Sequence, residues 1–170
     1  MESNSQPAEL EQITALLITR FSDDLVRAER SYDFPNIEIK KDHVIEILRF
    51  LGEAPEAGYR FLTTLFGVHL PDSQELMVIY QLHNLGQNKR IRIKVRVPVD
   101  NPVLPSATTL FPAANWMERE TFDFYGVVFQ GHPNLTRILN VEDMLIHPLR
   151  KEYPLEDQVR SDKNDKQFGR

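Results

Sequence analysis

A two-layer α+β fold, with helices packed on a mixed or antiparallel β-sheet and an extended C-terminal segment, is the architecture this sequence predicts. Three observations predict it. Residues 89–97 alternate strictly, with Ile91, Ile93, Val95 and Val97 on one face and Arg90, Arg92, Lys94 and Arg96 on the other. Apolar residues recur at three- and four-residue steps before the strand-rich middle and not within it. From Gly126 onward prolines recur (Pro133, Pro148, Pro154) and helical periodicity is lost.

The elements follow in chain order. Residues 1–7 read as a frayed N-terminus ending at Pro7. Leu10, Ile13, Leu17 and Phe21 predict an amphipathic helix from Ala8 to about Leu25. Residues 36–40 alternate as a short strand does. Asp42 is placed to cap a second helix that carries Val44, Ile45, Leu48 and Leu51 inward and stops at Gly52. Residues 60–70, 75–83 and 89–97 predict strands, the last two joined as a hairpin through residues 84–88. Pro98, Pro102 and Pro105 stiffen a connector, and a helix from Ala113 to Tyr125 ends at Gly126. This gives an α+β domain over residues 8–130 and an extended partner-docking segment over 131–170. In residues 156–170 only Val159 and Phe168 are apolar anchors, too few to fold without a host.

Composition narrows the function. A chain of 170 residues suits one domain, and 41% hydrophobic content is enough for a real core. A net charge of −5 gives no global attraction to nucleic acid or an anionic membrane. With no cysteine, thiolate-held iron–sulfur clusters, Cys-rich zinc sites and thiol nucleophiles are excluded. No apolar run is long enough to span a bilayer, and the polar N-terminus lacks a signal-peptide pattern, so any membrane link is expected through a partner. Nucleotide-cradling glycine motifs and the nucleophile elbow are missing from the sequence.

The densest charged segment is residues 115–126. On a helix Glu120 meets Asp123 and Arg119 meets Asp123, whereas Glu118 and Glu120 diverge. A carboxylate pair here would be Glu120 with Asp123, but Arg119 beside it favours ionised acids, the wrong direction for a general acid. An ion-pair network that fixes the helix is the better reading, with Trp116, Phe122 and Phe124 as core or interface anchors. His132 and His147 each precede a proline and read as rigid turns with locally bonded imidazoles; His43, His69 and His83 show no ligand spacing. No metal site is expected. The basic face of 90–96 lacks interleaved aromatics and reads as a solvated face, with docking to an acidic partner as the alternative.

Three ordered blocks then carry a resemblance. They are Glu118-Arg119-Glu120-x-x-Asp123-Phe124-Tyr125-Gly126, then Gly131-His132-Pro133-x-Leu135-x-Arg137-Ile138-Leu139, then His147-Pro148-Leu149-Arg150-Lys151-Glu152-Tyr153-Pro154-Leu155. Together with the upstream stretch from Ser106 to Trp116, this pattern is similar to the 30-kilodalton subunit family of proton-pumping NADH:quinone oxidoreductase (respiratory complex I). The chain departs at Thr136, where the family often has a basic residue, at Ile146, where it has Gly, and at Glu152, where it has Asp.

The resemblance implies a structural subunit of the peripheral arm. It would buttress the D-type subunit, which helps to shape the quinone cavity, with other peripheral-arm subunits as further neighbours. It implies no active site, flavin, cluster or quinone site in this chain; the complex as a whole carries FMN and iron–sulfur clusters and uses quinone. The signature residues Glu118, Arg119, Glu120, Asp123, Gly126, Gly131, His132, Pro133, Arg137, His147, Pro148, Leu149, Arg150, Lys151, Tyr153 and Pro154 are then partner-binding or structural. Arg119, Arg137, Arg150 and Lys151 are expected to reach partner carboxylates and carbonyls. The location implied is the cytoplasmic side of a bacterial membrane, or the matrix side of the mitochondrial inner membrane, held there by the complex. Equivalent subunits serve related membrane-bound hydrogenases and ferredoxin or deazaflavin dehydrogenases, so the donor stays open. A stand-alone hydrolase using Glu120, Asp123 and His132, or a basic-strand nucleic-acid binder, is the remaining alternative.

Overall fold

The computed structural model describes residues 6–31 and 34–153, with side chains from Leu10 onward. The expectations for the first five residues and for 154–170, Pro154 included, lie outside the described residues. Helix α1 (Gln6–Phe21) leads into strands β1 (Leu25–Ser31) and β2 (Phe34–Ile39), then helix α2 (Val44–Glu53). Strands β3 (Phe61–Leu70), β4 (Glu75–Asn84) and β5 (Lys89–Pro98) follow. The short strands β6 (Val103–Pro105) and β7 (Val128–Gln130) bracket helix α3 (Ala114–Tyr125).

The sheet has five strands in the order β1-β2-β5-β4-β3, antiparallel except for the parallel pair β2 and β5. The expected mixed sheet and α+β class are therefore present. Period-two alternation decides which side is covered. Ile91, Ile93, Val95 and Val97 of β5 join Leu76, Val78, Tyr80 and Leu82 of β4 in one core. Ile13 and Leu17 of α1, Val44, Ile47, Leu48 and Leu51 of α2, and Ala114 of α3 complete it. A strand slipped by one residue would turn this whole set to water, so the pattern fixes the register.

The other face carries the basic residues, and the solvated-face expectation needs correction. Arg96 pairs with Glu38 at 2.7 Å and with Glu75 at 3.1 Å, and Lys94 stands 3.6 Å from Glu29. Arg92 donates to Gln81 at 3.0 Å and lies 4.7 Å over the Phe34 ring. Arg96 and Lys94 sit directly across from Met77 and Ile79, both nearly buried, so their alkyl stems roof those apolar side chains. A cationic strip already matched by carboxylates offers little to nucleic acid or to an acidic protein.

Several boundaries differ from the sequence expectation. The first helix ends at Phe21, and Leu25 opens a strand, β1, that alternation alone did not reveal because its residues are only partly buried. Asp42 makes no capping bond; it lies in a 3-10 turn, and α2 begins at Val44. Gly52 does not stop α2, which continues to Glu53, where the chain turns extended at Ala54. The proline connector contains β6, which pairs in parallel with β7 because Pro102 and Gln130 still offer carbonyls for Val128 and Ser106.

α3 lies across β3 and needs Gly67 to do so. A Cβ there would fall 2.7 Å from Cδ2 of Tyr125 and 3.1 Å from Cγ2 of Thr121. Gly67→Ala is expected to lift α3 from the strand at about 1–3 kcal/mol. Thermal unfolding should show Tm lowered by several degrees; an unchanged Tm would disprove the close approach.

A candidate docking site built on α3 and its C-terminal strap

Three polar side chains of α3, Glu118, Thr121 and Asp123, are buried, whereas Trp116 and Glu120 are exposed. Trp116 and Glu120 stand one turn apart and share the outer face. Arg119 lies 5.3 Å over the Trp116 ring and donates to the carbonyls of Thr136 and Arg137 at 3.0 and 2.9 Å. Helix and following segment are thereby stapled together.

Asp123 organises that segment. Its carboxylate, fully buried, accepts from Arg137 Nη1 at 2.7 Å and from the backbone N–H groups of Ile138, Leu139 and Asn140 at 3.1, 2.8 and 2.9 Å. Asn140 Nδ2 adds a further donor at 3.0 Å. Burial alone would raise this carboxyl's pKa; the N–H groups of Asn140 and Leu139, then Arg137, outweigh it and hold the acid well below the usual carboxylate range. The sequence expectation paired Asp123 with Arg119. The correction is physical: Arg119 turns to the carbonyls of 136 and 137, and the charge partner comes from fourteen residues downstream. Asp123 and Glu120 form no dyad, because every lone-pair direction of Asp123 is engaged and Glu120 faces water.

The last turn of α3 leaves carbonyls without helical partners, and the strap supplies donors. His147 Nδ1 donates to Asp123 O at 3.1 Å, Leu149 N to Phe124 O at 3.2 Å, and Arg150 Nε to Tyr125 O at 2.8 Å. Arg137 Nη1 also reaches Asp123 O at 2.9 Å. Two guanidinium groups thus sit at the negative end of the helix dipole. Gly126 caps the helix in the left-handed conformation, φ 78°, with its N–H on Phe122 O. Arg137 Nη2 reaches back to the carbonyls of Met144 and Ile146, which closes the strap into a loop. Ile146 adopts an ordinary negative φ, so the glycine usual in the family is not required here.

Both His-Pro turns are locally bonded. His132 Nδ1 accepts the Asn134 N–H at 3.0 Å, so Nε2 carries the hydrogen donated to Asn115 O at 3.0 Å. His147 packs edge-on to Phe122 at 6.1 Å, and burial, with Arg150 and Arg137 adding, lowers its pKa despite the bond to the Asp123 carbonyl. Gly131 sits at φ 81° with open space around it and Pro133 is exposed, so this pair makes a turn and no contact. At the far end, Lys151 N donates to His69 Nδ1 at 2.8 Å, tying the strap to β3. Since Nδ1 accepts there, the approach of Glu152 to the same nitrogen at 3.5 Å is not an ion pair. Tyr153 N bonds Arg150 O at 3.1 Å, and Pro148 is half-buried. Arg119, Arg137 and Arg150, expected to reach a partner, are thus held within the chain.

Glu118 faces the core. It is fully buried and accepts from Ala107 N at 2.6 Å and Ser106 Oγ at 2.7 Å. Burial pushes its carboxyl up to about 7, and the two donors only partly oppose that. The Tyr80 hydroxyl, buried close enough to feel the Glu118 charge, has no hydrogen-bond partner among the described residues. Ser106, Tyr80, His69 and Asn140 were missed by motif reasoning; a lone Tyr in an apolar strand was the one local hint.

Chemically, this arrangement positions surface and offers no reacting group. No cluster of three His, Cys, Asp or Glu gathers among the described residues. A groove of about 580 Å³ lies between α1 and Tyr59, lined also by Glu56 and Lys89, and includes none of the signature residues. What the strap presents outward is apolar: Leu145 is 96% exposed, Leu139 66% and Val141 64%, beside Leu149 and, on α3, Trp116. No helix of the described residues is long and apolar enough to cross a membrane.

Known proteins share this architecture. A family model described as respiratory-chain NADH dehydrogenase, 30 Kd subunit, matches residues 37–159. The chain is 39% identical over 137 residues to the corresponding NADH-quinone oxidoreductase subunit of Mycolicibacterium gilvum, covering 79% of this chain and 61% of that one. It is 45% identical over 121 residues to the protein of the same description from Roseiflexus castenholzii, covering 71% of this chain and 70% of that one. The chain therefore spans about three-fifths of the length of the first of these relatives. Among solved structures, the trypsin-resistant fragment (1-134) of Nqo5 superposes with TM-score 0.61 at 26% identity, over 73% of this chain and 99% of the fragment. A chain of an archaeal membrane-bound sulfane sulfur reductase superposes with TM-score 0.71 at 22% identity, over 85% of each, a likeness of fold.

Proposed function

Because the chain belongs to the family of the 30 Kd subunit of respiratory-chain NADH dehydrogenase, we propose that it is a structural subunit of the peripheral arm of NADH-quinone oxidoreductase. In this reading it buttresses the D-type subunit at the quinone-reducing module, on the cytoplasmic side of a bacterial membrane or the matrix side of a mitochondrial one. Electron transfer from NADH to quinone and coupled proton translocation are carried by the assembly, whose FMN and iron–sulfur clusters lie in other subunits. This chain contributes shape and holds no cofactor.

The observation that carries the reading is the pairing of an internally saturated polar framework with an outward apolar row. Asp123, Arg137, His147 and Arg150 are used up fixing the strap, while Leu139, Val141 and Leu145 are held out to water. Large apolar side chains clamped in exposed positions mark interaction sites. The arginines then act one step behind the contact, and exposed Lys151 and Glu152 flank it. Cutting the chain at residue 148, or placing Asp at Leu145, is expected to abolish co-purification with the D-type subunit from native membranes. Assembly at the normal level with both variants would remove the docking role. Lower activity with normal assembly would point instead to a catalytic contribution.

A further inference from the structure

Glu118 is a carboxyl group sealed in the core with no opposing charge. No Arg, Lys or His among the described residues acts on it. From β4 it is faced by the Tyr80 hydroxyl; from the segment after β6 it is faced by Ser106, Ala107 and Thr108. On α3 itself, Thr121 bonds back to Met117 O, Glu120 points to water and Asp123 turns to the strap. Asp123 shows what this fold does with a permanent anion: it surrounds it with Arg137 and N–H donors. Glu118 receives one N–H and one hydroxyl.

The hydroxyl leads outward. Ser106 Oγ is 2.7 Å from Glu118 Oε2 and 2.8 Å from Thr108 Oγ1, and it also accepts the Thr108 N–H at 3.2 Å. Thr108 is half-buried, at the edge of the core. Two donor orders fit these same heavy-atom positions. With Glu118 ionised, Thr108 donates to Ser106 and Ser106 donates to Glu118. With Glu118 protonated, Oε2–H donates to Ser106 and Ser106 donates to Thr108, whose own hydrogen turns outward. Ala107 N–H stays on Oε1 in both. Reversal moves one proton inward per carboxylate neutralised, and no heavy atom has to shift.

We propose that Glu118, Ser106 and Thr108 form a buried proton-binding site, in which Glu118 takes up and releases one proton along the two hydroxyls while the fold stays intact. The site is separate from the docking surface, and its chemistry does not depend on the assembly reading. Raised proton affinity at Glu118 stabilises the folded chain below the unfolded carboxyl value of 4.5, and that contribution is lost as pH rises through about 7.

The test is carbon-13 NMR of the full 170-residue chain with its glutamate side-chain carboxyls labelled, titrated from acid to alkali. One carboxyl is expected to titrate near 7, apart from the rest at roughly 4.3. That signal should vanish in Glu118→Gln. In Ser106→Ala, where the anion loses a donor, its midpoint should move upward by about one unit, a roughly tenfold gain in proton affinity. Should the glutamine variant not fold, the serine variant alone assigns the signal. All glutamates titrating together, or a high midpoint unmoved by Ser106→Ala, would overturn the proposal.

Discussion

Replacing Asp123 by alanine is expected to detach the strap of residues 137–149 from α3 while the five-stranded sheet keeps its protection. The reason is the number of groups left without a partner. Arg137, 9% exposed at its side chain, would lose its counter-ion, and the N–H groups of Ile138, Leu139 and Asn140 would lose their acceptor. Breaking a buried pair by removing one partner typically costs about 3–5 kcal/mol. Hydrogen exchange should therefore accelerate by about 10²-fold or more at the amides of 138–140, with those of Tyr80 and Ile93 unchanged. Unaltered protection at 138–140 would show that the carboxylate does not hold the strap. Asp123→Asn keeps the shape but loses the charge, so its effect should fall between wild type and alanine. The pH dependence has a fixed sign. The folded pKa is depressed below the ordinary aspartate value of 3.8, so this stabilisation is complete above that value and disappears as pH falls through it toward the folded pKa.

Gly126→Ala should be nearly as damaging, for a different reason. At φ 78° any side chain costs about 1–2 kcal/mol from the left-handed backbone alone. The new Cβ would also lie 2.6 Å from His147 Cδ2 and Nε2 and 2.7 Å from Arg150 Nη2. The arginine tip can swing away. The imidazole cannot do so without losing its bond to the Asp123 carbonyl and its edge contact with Phe122. A combined loss of roughly 3 kcal/mol lowers Tm by roughly 6–12 °C in a chain of this size. In NMR spectra the His147 ring signals should shift strongly while His43, at the other side of the molecule in its pair with Asp24, stays in place. An unchanged melting temperature would mean that the helix end has room the structure denies it. Both variants converge on one consequence: the apolar row of Leu139, Val141 and Leu145 loses its fixed orientation, so assembly should fall before turnover per assembled complex does.

The elements most legible in the chain were those whose side chains sort cleanly between water and core. β5 alternates without exception, and the structure buries Ile91, Ile93, Val95 and Val97 while its basic partners stay outside. Gly126 followed a helical run and does terminate α3. β1 was hidden because an edge strand of partly exposed residues has no burial contrast to print on its sequence. β6 was hidden by its prolines, whose missing N–H groups matter little in a three-residue strand that pairs on one side.

The amino-acid order by itself determined the α+β class, the covered face of the sheet and the stretch that carries the family signature. Those depend on local periodicity and on residues near one another in the chain. Which groups meet was decided only by the tertiary path. Asp123 and Glu118 lie on the same helix, five positions apart, yet one is ringed by Arg137 and three N–H groups and the other by a hydroxyl and a single N–H. Their different proton affinities come from partners eleven or more residues away, and side-chain spacing holds no record of where the chain returns.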